Sequence, residues 1–462
     1  MPIQFVFLWT DALIYVLLAV VVAFGVYAAR HEHLRAPWRQ VARRPLAMAA
    51  LVVLAVYVAI GLLDSVHFHQ RLEKDGQYSA EVKSVLDLAL QGLRAHGERT
   101  YSAPFALTAY TSETIERPDG THERVYPRLK FGGAHLAAPT DRASDIAARV
   151  GLAFVETAVL WLLIAAALAY FRRSASAPYA ERLRALVRGD GEFPWRTVWV
   201  TGAIVFFLGA ACAHLAPYYH VFGTDQVGID VLYKSLKSVR TGLVIGTLTT
   251  LVMLPFALVL GVAAGYFGGW IDDIIQYVYT TLSSIPGVLL IAAAILSLQV
   301  YMATHAESFN NVVVRADTRL LFLCIILGVT SWTSLCRLLR GEALKLRELD
   351  YVAAARALGV SSARIMTRHL FPNVMHVVLI TTVLDFSGLV LSEAVLSYVG
   401  VGVDPSMESW GNMINGARLE MAREPMVWWT LAAAFTLMFA LVLAANLFAD
   451  AVRDAFDPRL RR

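Results

Sequence analysis

The 462-residue sequence contains little charge, few lysines and only three cysteines. Charged residues make up 16% of the chain, and only six of its 40 basic residues are lysines. None of these lysines follows a glycine, so the chain lacks the G-x-x-x-x-G-K-[ST] loop that cradles the phosphates of ATP. The cysteines, Cys212, Cys324 and Cys336, lie in or beside apolar blocks. No disulfide framework and no cysteine-based metal site is therefore predicted.

Apolar side chains are present in excess. They make up 57% of the residues, and the mean hydropathy is +0.56. With glycine counted in place of tyrosine the share is roughly 60%, whereas a soluble domain has about 45–50%. A soluble globule of this length has no interior large enough for so much apolar surface, so we predict an integral membrane protein.

The apolar residues form blocks of roughly 20 residues, the length that an α-helix needs to cross a bilayer. They do not form the alternating ten-residue segments of an outer-membrane barrel. The predicted fold class is therefore an all-α polytopic membrane protein with about nine transmembrane helices. The predicted spans are 5–28, 46–63, 150–171, 197–217, 242–266, 274–299, 319–338, 374–399 and 428–448.

The distribution of basic residues predicts the orientation of the chain. The first span has no basic segment before it, and five arginines follow it within 30–45, which is the reverse of a signal peptide. With the N-terminus outside, the cytosolic segments hold 22 Arg or Lys and the short outer loops hold seven. This ratio follows the positive-inside rule and predicts a cytosolic C-terminus. The net charge of +4 thus reflects orientation, and no nucleic-acid partner is predicted.

A polar insert at 64–149 separates the second and third spans. It has a helix-like stretch at 80–95 and a hairpin-like turn at 118–120, which predict a small extracytoplasmic α+β domain. The predicted segments are two N-terminal helices (1–63), the insert, a third helix with a cytosolic linker (150–196) and a transmembrane core (197–462).

No catalytic or metal site is predicted. The densest histidine pairs are His31-Glu32-His33 and His67-Phe68-His69, and neither has a third ligand at a recognisable spacing. No Ser/His/Asp arrangement and no H-E-x-x-H signature is present. The chain is therefore predicted not to be an enzyme and to hold no cofactor of its own.

The cytosolic loop 340–373 carries the most informative pattern. Asp350 to Leu358 is rich in alanine, which favours a helix. Gly359 is suited to the left-handed conformation at a helix C-terminus. Ser361 or Ser362 is suited to cap a second helix that stops before Pro372. One face of the first helix carries side chains suited to a groove on another protein, namely Tyr351, Ala354, Ala355 and Leu358.

This loop resembles the EAA motif of the permeases of ABC importers. The motif falls on Ala353, Ala354, Ala355, Gly359, His369, Phe371 and Pro372. Ala353 stands where the motif has Glu, and His369 and Phe371 replace Ile and Leu. The resemblance implies that the loop docks into a separate ATPase subunit, through Tyr351, Ala353, Ala354, Ala355, Arg356, Gly359, His369 and Pro372.

Three further segments are similar to the C-type permease of dipeptide and oligopeptide importers. The first, 220–230, resembles G-T-D-x-x-G-R-D, with Ile229 in place of the Arg. Its matching residues are Gly223, Thr224, Asp225, Gly228 and Asp230. The others are 391–411 and the C-terminal A-V-R-D-A-F-D-P-R-L. Together the four motifs cover about 197–462 and imply a six-helix permease core preceded by an N-terminal extension.

The resemblance implies a multi-pass protein of the cytoplasmic (inner) membrane, embedded in the lipid bilayer, that imports di- or oligopeptides. Its implied partners are a second permease subunit, two ABC ATPase subunits that bind ATP and Mg, and an extracytoplasmic peptide-binding protein. A permease for nickel or another metal chelate is the nearest alternative. An ion-coupled secondary transporter and a membrane sensor are alternatives from other classes. The insert contacts the binding protein, braces the partner permease or is a peripheral addition, and the sequence leaves these alternatives open.

Two carboxylates lie within the eighth predicted span. Asp385 and Glu393 are eight residues apart, which places them about 80° apart around a helix. An ionised side chain at mid-membrane costs at least about 2.5–3.5 kcal/mol. We hypothesise that at least one of them lines the peptide path. An interhelical hydrogen bond is the alternative.

Overall fold

The computed structural model describes residues 3–71, 78–116, 122–171, 193–309 and 311–456. The strands are β1 (Ile3–Val6), β2 (His67–Arg71), β3 (Tyr78–Ser84), β4 (Glu113–Glu116) and β5 (His122–Val125). The first nine helices are α1 (Trp9–Arg30), α2 (Glu32–Arg43), α3 (Pro45–Asp64), α4 (Val85–Ala89), α5 (Gln91–Ala95), α6 (Arg142–Phe171), α7 (Trp195–Leu215), α8 (Val231–Phe267) and α9 (Gly269–Ser284). The remaining helices are α10 (Gly287–Thr304), α11 (Val312–Arg347), α12 (Asp350–Ala357), α13 (Ser362–Ile365), α14 (Phe371–Tyr398), α15 (Trp410–Glu420) and α16 (Trp429–Phe456).

Long apolar helices dominate the described ranges, which confirms the predicted polytopic all-α class. Eight of the described stretches have the length and composition needed to cross a membrane. They are Trp9–Arg30, Pro45–Asp64, Pro139–Ala167, Trp195–Leu215, Val231–Phe267, Gly287–Thr304, Ser362–Tyr398 and Trp429–Phe456. The predicted span 319–338 lies inside the 36-residue helix α11, which is not among the eight.

The predicted span 274–299 is not one helix. It is divided between α9 and α10, and the chain is extended at Ile285 between them. Proline disfavours the helical conformation of the residue before it, and Pro286 follows Ile285 directly. The proline is thus the sequence signal for this break.

The insert has the predicted α+β character. Strands β1, β2 and β3 form an antiparallel sheet, and β4 pairs with β5 on either side of the predicted turn at 118–120, which lies outside the described residues. The prediction of a helix over 80–95 is wrong at its start, because β3 continues to Ser84. Ser84 then caps α4: its Oγ accepts the N–H of Asp87 at 3.1 Å, and the Asp87 carboxylate accepts the N–H of Ser84 at 2.9 Å.

The chain divides into two compact units, which we call the first and the second unit. The first unit consists of Met1–Val6, Trp38–Thr241 and Glu408–Phe448, and the second of Phe7–Pro37, Gly242–Met407 and Ala449–Arg462. In the first unit, helix α7 packs on α3 and α6. In the second unit, a Cβ added at Gly265 of α8 would lie 2.6 Å from the carbonyl oxygen of Arg340 in α11. Glycine thus permits a close backbone approach between α8 and α11, as small residues do in membrane bundles.

Candidate functional site

Residues 350–372, which we call the EAA-like segment, consist of a short helix, a glycine turn and the start of a second helix, and the first helix and the turn are as predicted. Helix α12 ends at Ala357, and Gly359 has a φ of +75°, which confirms its left-handed conformation. Its N–H donates to the carbonyl of Arg356 at 3.0 Å, and the next N–H, of Val360, donates to Ala355 at 3.1 Å. These bonds satisfy carbonyls at the end of α12 and fix the angle at which the chain leaves it.

The second half of the segment differs from the prediction. The helix that begins at Ser362 does not stop before Pro372: it continues through a π-helical turn, Met366–Leu370, directly into α14. Pro372 lies in the first turn of α14. The wider π turn allows the helix to continue up to the proline. Ser361 occupies the N-cap position, but its side chain makes no capping hydrogen bond.

One face of the EAA-like segment is anchored in the core of the second unit. Val352, Ile365 and Leu370 are fully buried, in a cluster with residues of α8 and α11 that include Leu339 and Ala343. Burying one such side chain stabilises a fold by about 1.5–3 kcal/mol. These contacts therefore attach the segment firmly to the long helices α8 and α11.

Polar and aromatic contacts reinforce this anchor. The Arg356 guanidinium lies 5.2 Å from the ring centroid of Tyr266, near the end of α8. The rings of Tyr351 and His369 are 5.8 Å apart. Asn373 Nδ2 donates to the Tyr351 hydroxyl at 3.2 Å and to the carbonyl of His369 at 2.6 Å. Tyr266 and Asn373 were not predicted as site residues, since their role depends on this tertiary packing.

The opposite face of the segment is exposed. Leu358 has 82% of its surface exposed and Tyr351 43%. Ala353 and Ala354 are also exposed, whereas Ala355 is half-buried. The predicted face is thus largely available for contact, and Ala353, which stands where the motif has Glu, lies on the exposed surface.

An ion pair joins α9 and α11 before this segment. Arg340 Nη2 donates to Asp272 Oδ2 at 2.6 Å, and Nε donates to Oδ1 at 2.5 Å. Such two-point pairing fixes both distance and orientation. Neither residue was among the predicted site residues. The two residues are 68 positions apart in sequence, and the sequence pattern alone does not indicate that they pair.

Residues 220–230, which we call the GTD segment, form a tight loop. Gly223 and Gly228 have φ values of +72° and +78°. Asp225 Oδ1 accepts the N–H groups of Val227 at 3.0 Å and Ile229 at 2.9 Å. Position 229 therefore contributes a backbone donor to the loop, although its side chain departs from the family pattern.

The GTD segment holds the insert. The carbonyl of Gly228 accepts the N–H of Glu98 at 2.9 Å, and a Cβ at Gly228 would lie 1.9 Å from the Glu98 carbonyl oxygen. Thr224 exchanges backbone and side-chain hydrogen bonds with Ser102. Gly223 is similarly close to Ser102: a Cβ added at Gly223 would lie 2.3 Å from the Ser102 carbonyl oxygen. Two glycines thus permit a backbone-to-backbone contact that no larger residue allows.

A buried ion-pair network lies at the same contact. His220 Nδ1 is 2.8 Å from Asp230, and its Nε2 is 3.4 Å from Glu98. Burial opposes protonation of His220, but its bonds to Asp230 and Glu98 outweigh this effect and raise its pKa to about 9. Burial likewise opposes ionisation of Glu98, but bonds from His220 and the N–H groups of 130–132 lower its pKa to about 2.

This network predicts a pH dependence of insert stability. The His220 contribution is fully present below its ordinary pKa of 6.5 and is lost as the pH rises through about 9. The rise of the His220 pKa from 6.5 to about 9 corresponds to about 3 kcal/mol of folding free energy. We expect the thermal stability of the purified chain to fall between pH 6.5 and 10, with a clearly smaller fall in His220→Gln. An equal fall in both proteins would contradict the assignment.

A second polar cluster, centred on Lys237, joins the insert to the start of α8. Lys237 Nζ donates to Asp64 at 2.7 Å and to Asp87 at 3.1 Å. Tyr233 donates to the same Asp87 at 2.7 Å, and Ser84 donates to Asp64 at 2.6 Å. Within the first unit the insert is therefore built into the permease chain by buried charged contacts, which are costly to break.

The two carboxylates of α14 have different surroundings. Glu393 is buried and accepts a hydrogen bond from Ser397 at 2.7 Å. Asp385 is half-buried, and no hydrogen bond or ion pair to it is found among the described residues. Asp385 is thus the carboxylate of the pair with spare hydrogen-bonding capacity.

Known proteins resemble about half of this chain. Residues 257–462, which include the EAA-like segment, match the family described as binding-protein-dependent transport system inner membrane component. The oligopeptide transport system permease protein OppC of Mycobacterium tuberculosis is 30% identical over 242 residues, 52% of this chain and 77% of that protein. The glutathione transport system permease protein GsiD of Pectobacterium atrosepticum is 33% identical over 244 residues, 52% of this chain and 73% of that protein.

The dipeptide transport system permease protein DppC of Alkalihalophilus pseudofirmus is 29% identical over 242 residues, 52% of this chain and 73% of that protein. These matches agree with the apolar helices, the glycine turn at 359 and the resemblance stated from the sequence. The chain belongs to the family of binding-protein-dependent transport system inner membrane components.

Proposed function

We propose that this chain is a permease subunit of an ATP-driven ABC importer of di- or oligopeptides. The observation that carries the proposal is the EAA-like segment, with one face anchored by Val352, Ile365 and Leu370 and the other exposed at Leu358. The relatives, named for transport of oligopeptides, dipeptides and glutathione, support peptides as the substrate class. No observation favours a nickel or metal-chelate substrate.

The proposed complex contains a second permease, two ATPase subunits that bind ATP and Mg, and an extracytoplasmic peptide-binding protein. In this proposal the N-terminus lies outside and the EAA-like segment and the C-terminus lie in the cytosol. Closure of the ATPases pushes the EAA-like segment. Its buried anchors and the contact of Arg356 with Tyr266 carry that displacement into α8, α11 and α14, which changes access to the peptide path.

Reconstitution tests this function. The chain is co-expressed with the partner permease and ATPases, and the complex is placed in proteoliposomes with the binding protein outside. We expect peptide accumulation that requires internal ATP and is abolished by a hydrolysis-deficient ATPase. Uptake that instead follows an imposed ion gradient and needs no ATPase would establish the secondary-transporter alternative.

We further propose that Asp385 contacts the positively charged α-amino group of the peptide in the transport path. Because Asp385 has no partner in the described structure and Glu393 is bonded to Ser397, the two amide variants should differ. We expect Asp385→Asn to raise the KM for peptide several-fold with ATPase assembly intact, whereas Glu393→Gln, which keeps an acceptor for Ser397, changes it little. Wild-type uptake at limiting peptide in Asp385→Asn would refute this role.

A further inference from the structure

Helix α2 carries a row of arginines along one side. Arg35, Arg39 and Arg43 are spaced by four residues within the helix Glu32–Arg43, a spacing that places side chains on one face. All three are exposed. The guanidinium groups of Arg35 and Arg39 make no hydrogen bond or ion pair in the part of the chain that the structure describes. Glu32, the acidic residue of this helix, lies one turn away at its start.

The other side of α2 faces the protein. Pro37 and Val41 are buried, and Trp38 is half-buried. In helical register Pro37 and Val41 lie roughly opposite the centre of the arginine row, and Trp38 lies to one side. The rotation of α2 about its axis is therefore fixed by burial, and the charged face is directed away from the protein interior.

The position of α2 in the chain limits where this face can lie. Helix α2 is separated from α1 by His31 alone and from α3 by Arg44 alone. Both neighbours are long and apolar enough to cross a membrane. A helix of 12 residues is about 18 Å long. If both neighbours cross the bilayer, a helix tied to them at both ends lies at the level of the lipid headgroups, where amphipathic basic helices bind.

We infer that the arginine face of α2 binds the phosphate groups of anionic lipids. Guanidinium groups pair well with phosphate oxygens, often through two hydrogen bonds. Basic side chains next to a membrane span are attracted to anionic headgroups with about 1 kcal/mol each. Charge complementarity and the two flanking spans favour lipid over an acidic protein surface as the occupant. This lipid site is independent of the peptide-transport proposal.

Native mass spectrometry of the purified full chain, titrated with phosphatidylglycerol or phosphatidylcholine, tests the inference. We compare wild type with the double variant Arg35→Gln, Arg39→Gln. The matched control is Arg364→Gln, Arg368→Gln, which removes two exposed arginines at the same spacing. We expect phosphatidylglycerol to bind the α2 variant roughly thirty-fold more weakly. The control should bind like wild type, phosphatidylcholine binding should not change, and salt should weaken the wild-type interaction.

Four results would overturn the inference. Equal phosphatidylglycerol binding by wild type and the α2 variant would show that the arginines are not the site, and equal loss in the control would show an unspecific charge effect. Competition by excess inorganic phosphate at constant ionic strength would indicate a site for a soluble anion. If the α2 variant kept its lipid but, when co-expressed with the ATPase subunits, no longer co-purified with them, the face would be a protein-docking surface. Unchanged thermal stability of the variant serves as the folding control.

Discussion

Gly359→Val is expected to lower ATP-dependent peptide uptake about tenfold or more while leaving the assembled complex in the membrane. Gly359 has a φ of +75°, and nothing lies within 4 Å of a built Cβ, so a valine side chain fits in space. Its cost is conformational: the left-handed region costs an ordinary residue about 1–2 kcal/mol and a β-branched one more. The chain relieves this strain by changing the turn, which moves α12 relative to α13. Because about 1.4 kcal/mol corresponds to a tenfold change in an equilibrium constant, a strain of this size is enough for a tenfold loss of uptake.

Two controls separate this effect from a general loss of folding. Gly359→Asn should retain most uptake, since asparagine tolerates the left-handed conformation better than other residues. Gly341→Val, at a helical glycine of α11 that also has open space around it, should cost far less. The readouts are uptake and the number of ATP molecules hydrolysed per peptide. Wild-type uptake in Gly359→Val would refute the coupling role of this turn.

Gly228→Ala is expected to detach the insert from the GTD segment. The new Cβ would lie 1.9 Å from the carbonyl oxygen of Glu98, and a backbone atom cannot rotate away as a side chain can. The positive φ of +78° adds its own strain, so we expect a loss of stability of about 3 kcal/mol or more. Hydrogen exchange of residues 97–107 should rise sharply.

Gly97→Ala is the matched control, because it lies at the same contact and its built Cβ is 3.9 Å from the Gly228 carbonyl oxygen, an ordinary distance. It should leave exchange of residues 97–107 near the wild-type level. The same pair of variants also addresses the role of the insert. If Gly228→Ala loosens the insert and uptake also falls, the insert is a structural brace for the permease chain. If Gly228→Ala left the hydrogen exchange of residues 97–107 unchanged, the contact between the insert and the GTD segment would be refuted.

Local features were predictable from the sequence because their cause is local. Gly359 takes the conformation expected of a glycine after an alanine-rich helix, and the insert has the expected mixture of short strands and helices. Pro286, by contrast, lies within a continuous apolar block that predicts a single helix, although the residue before a proline is a probable helix boundary. The sequence predicts that the second helix of the EAA-like segment ends before Pro372, whereas the π turn before the proline lets this helix continue.

Long-range contacts were not predictable. Strand β1 pairs with β2, with Ile3 opposite Gln70, and a four-residue strand before an apolar helix gives no sequence signal of its own. The contact of Glu98 with Gly228, and that of Lys237 with Asp87, join distant parts of the chain. The sequence shows the glycines of the GTD segment as a motif. Only the structure shows why these positions need glycine, namely that the backbone of the insert packs directly against them.

The central claim is that the exposed face of the EAA-like segment contacts the ATPase, and site-specific photocross-linking tests it most directly. A photoreactive residue replaces Leu358, whose side chain is 82% exposed, or, as a control, the exposed Arg99 of the insert. In membranes that contain the complete transporter, we expect position 358 to cross-link to the ATPase subunit, with a yield that changes when ATP is bound, and position 99 to give no such product. Cross-linking of position 358 only to lipid, or of both positions equally to the ATPase, would contradict the account.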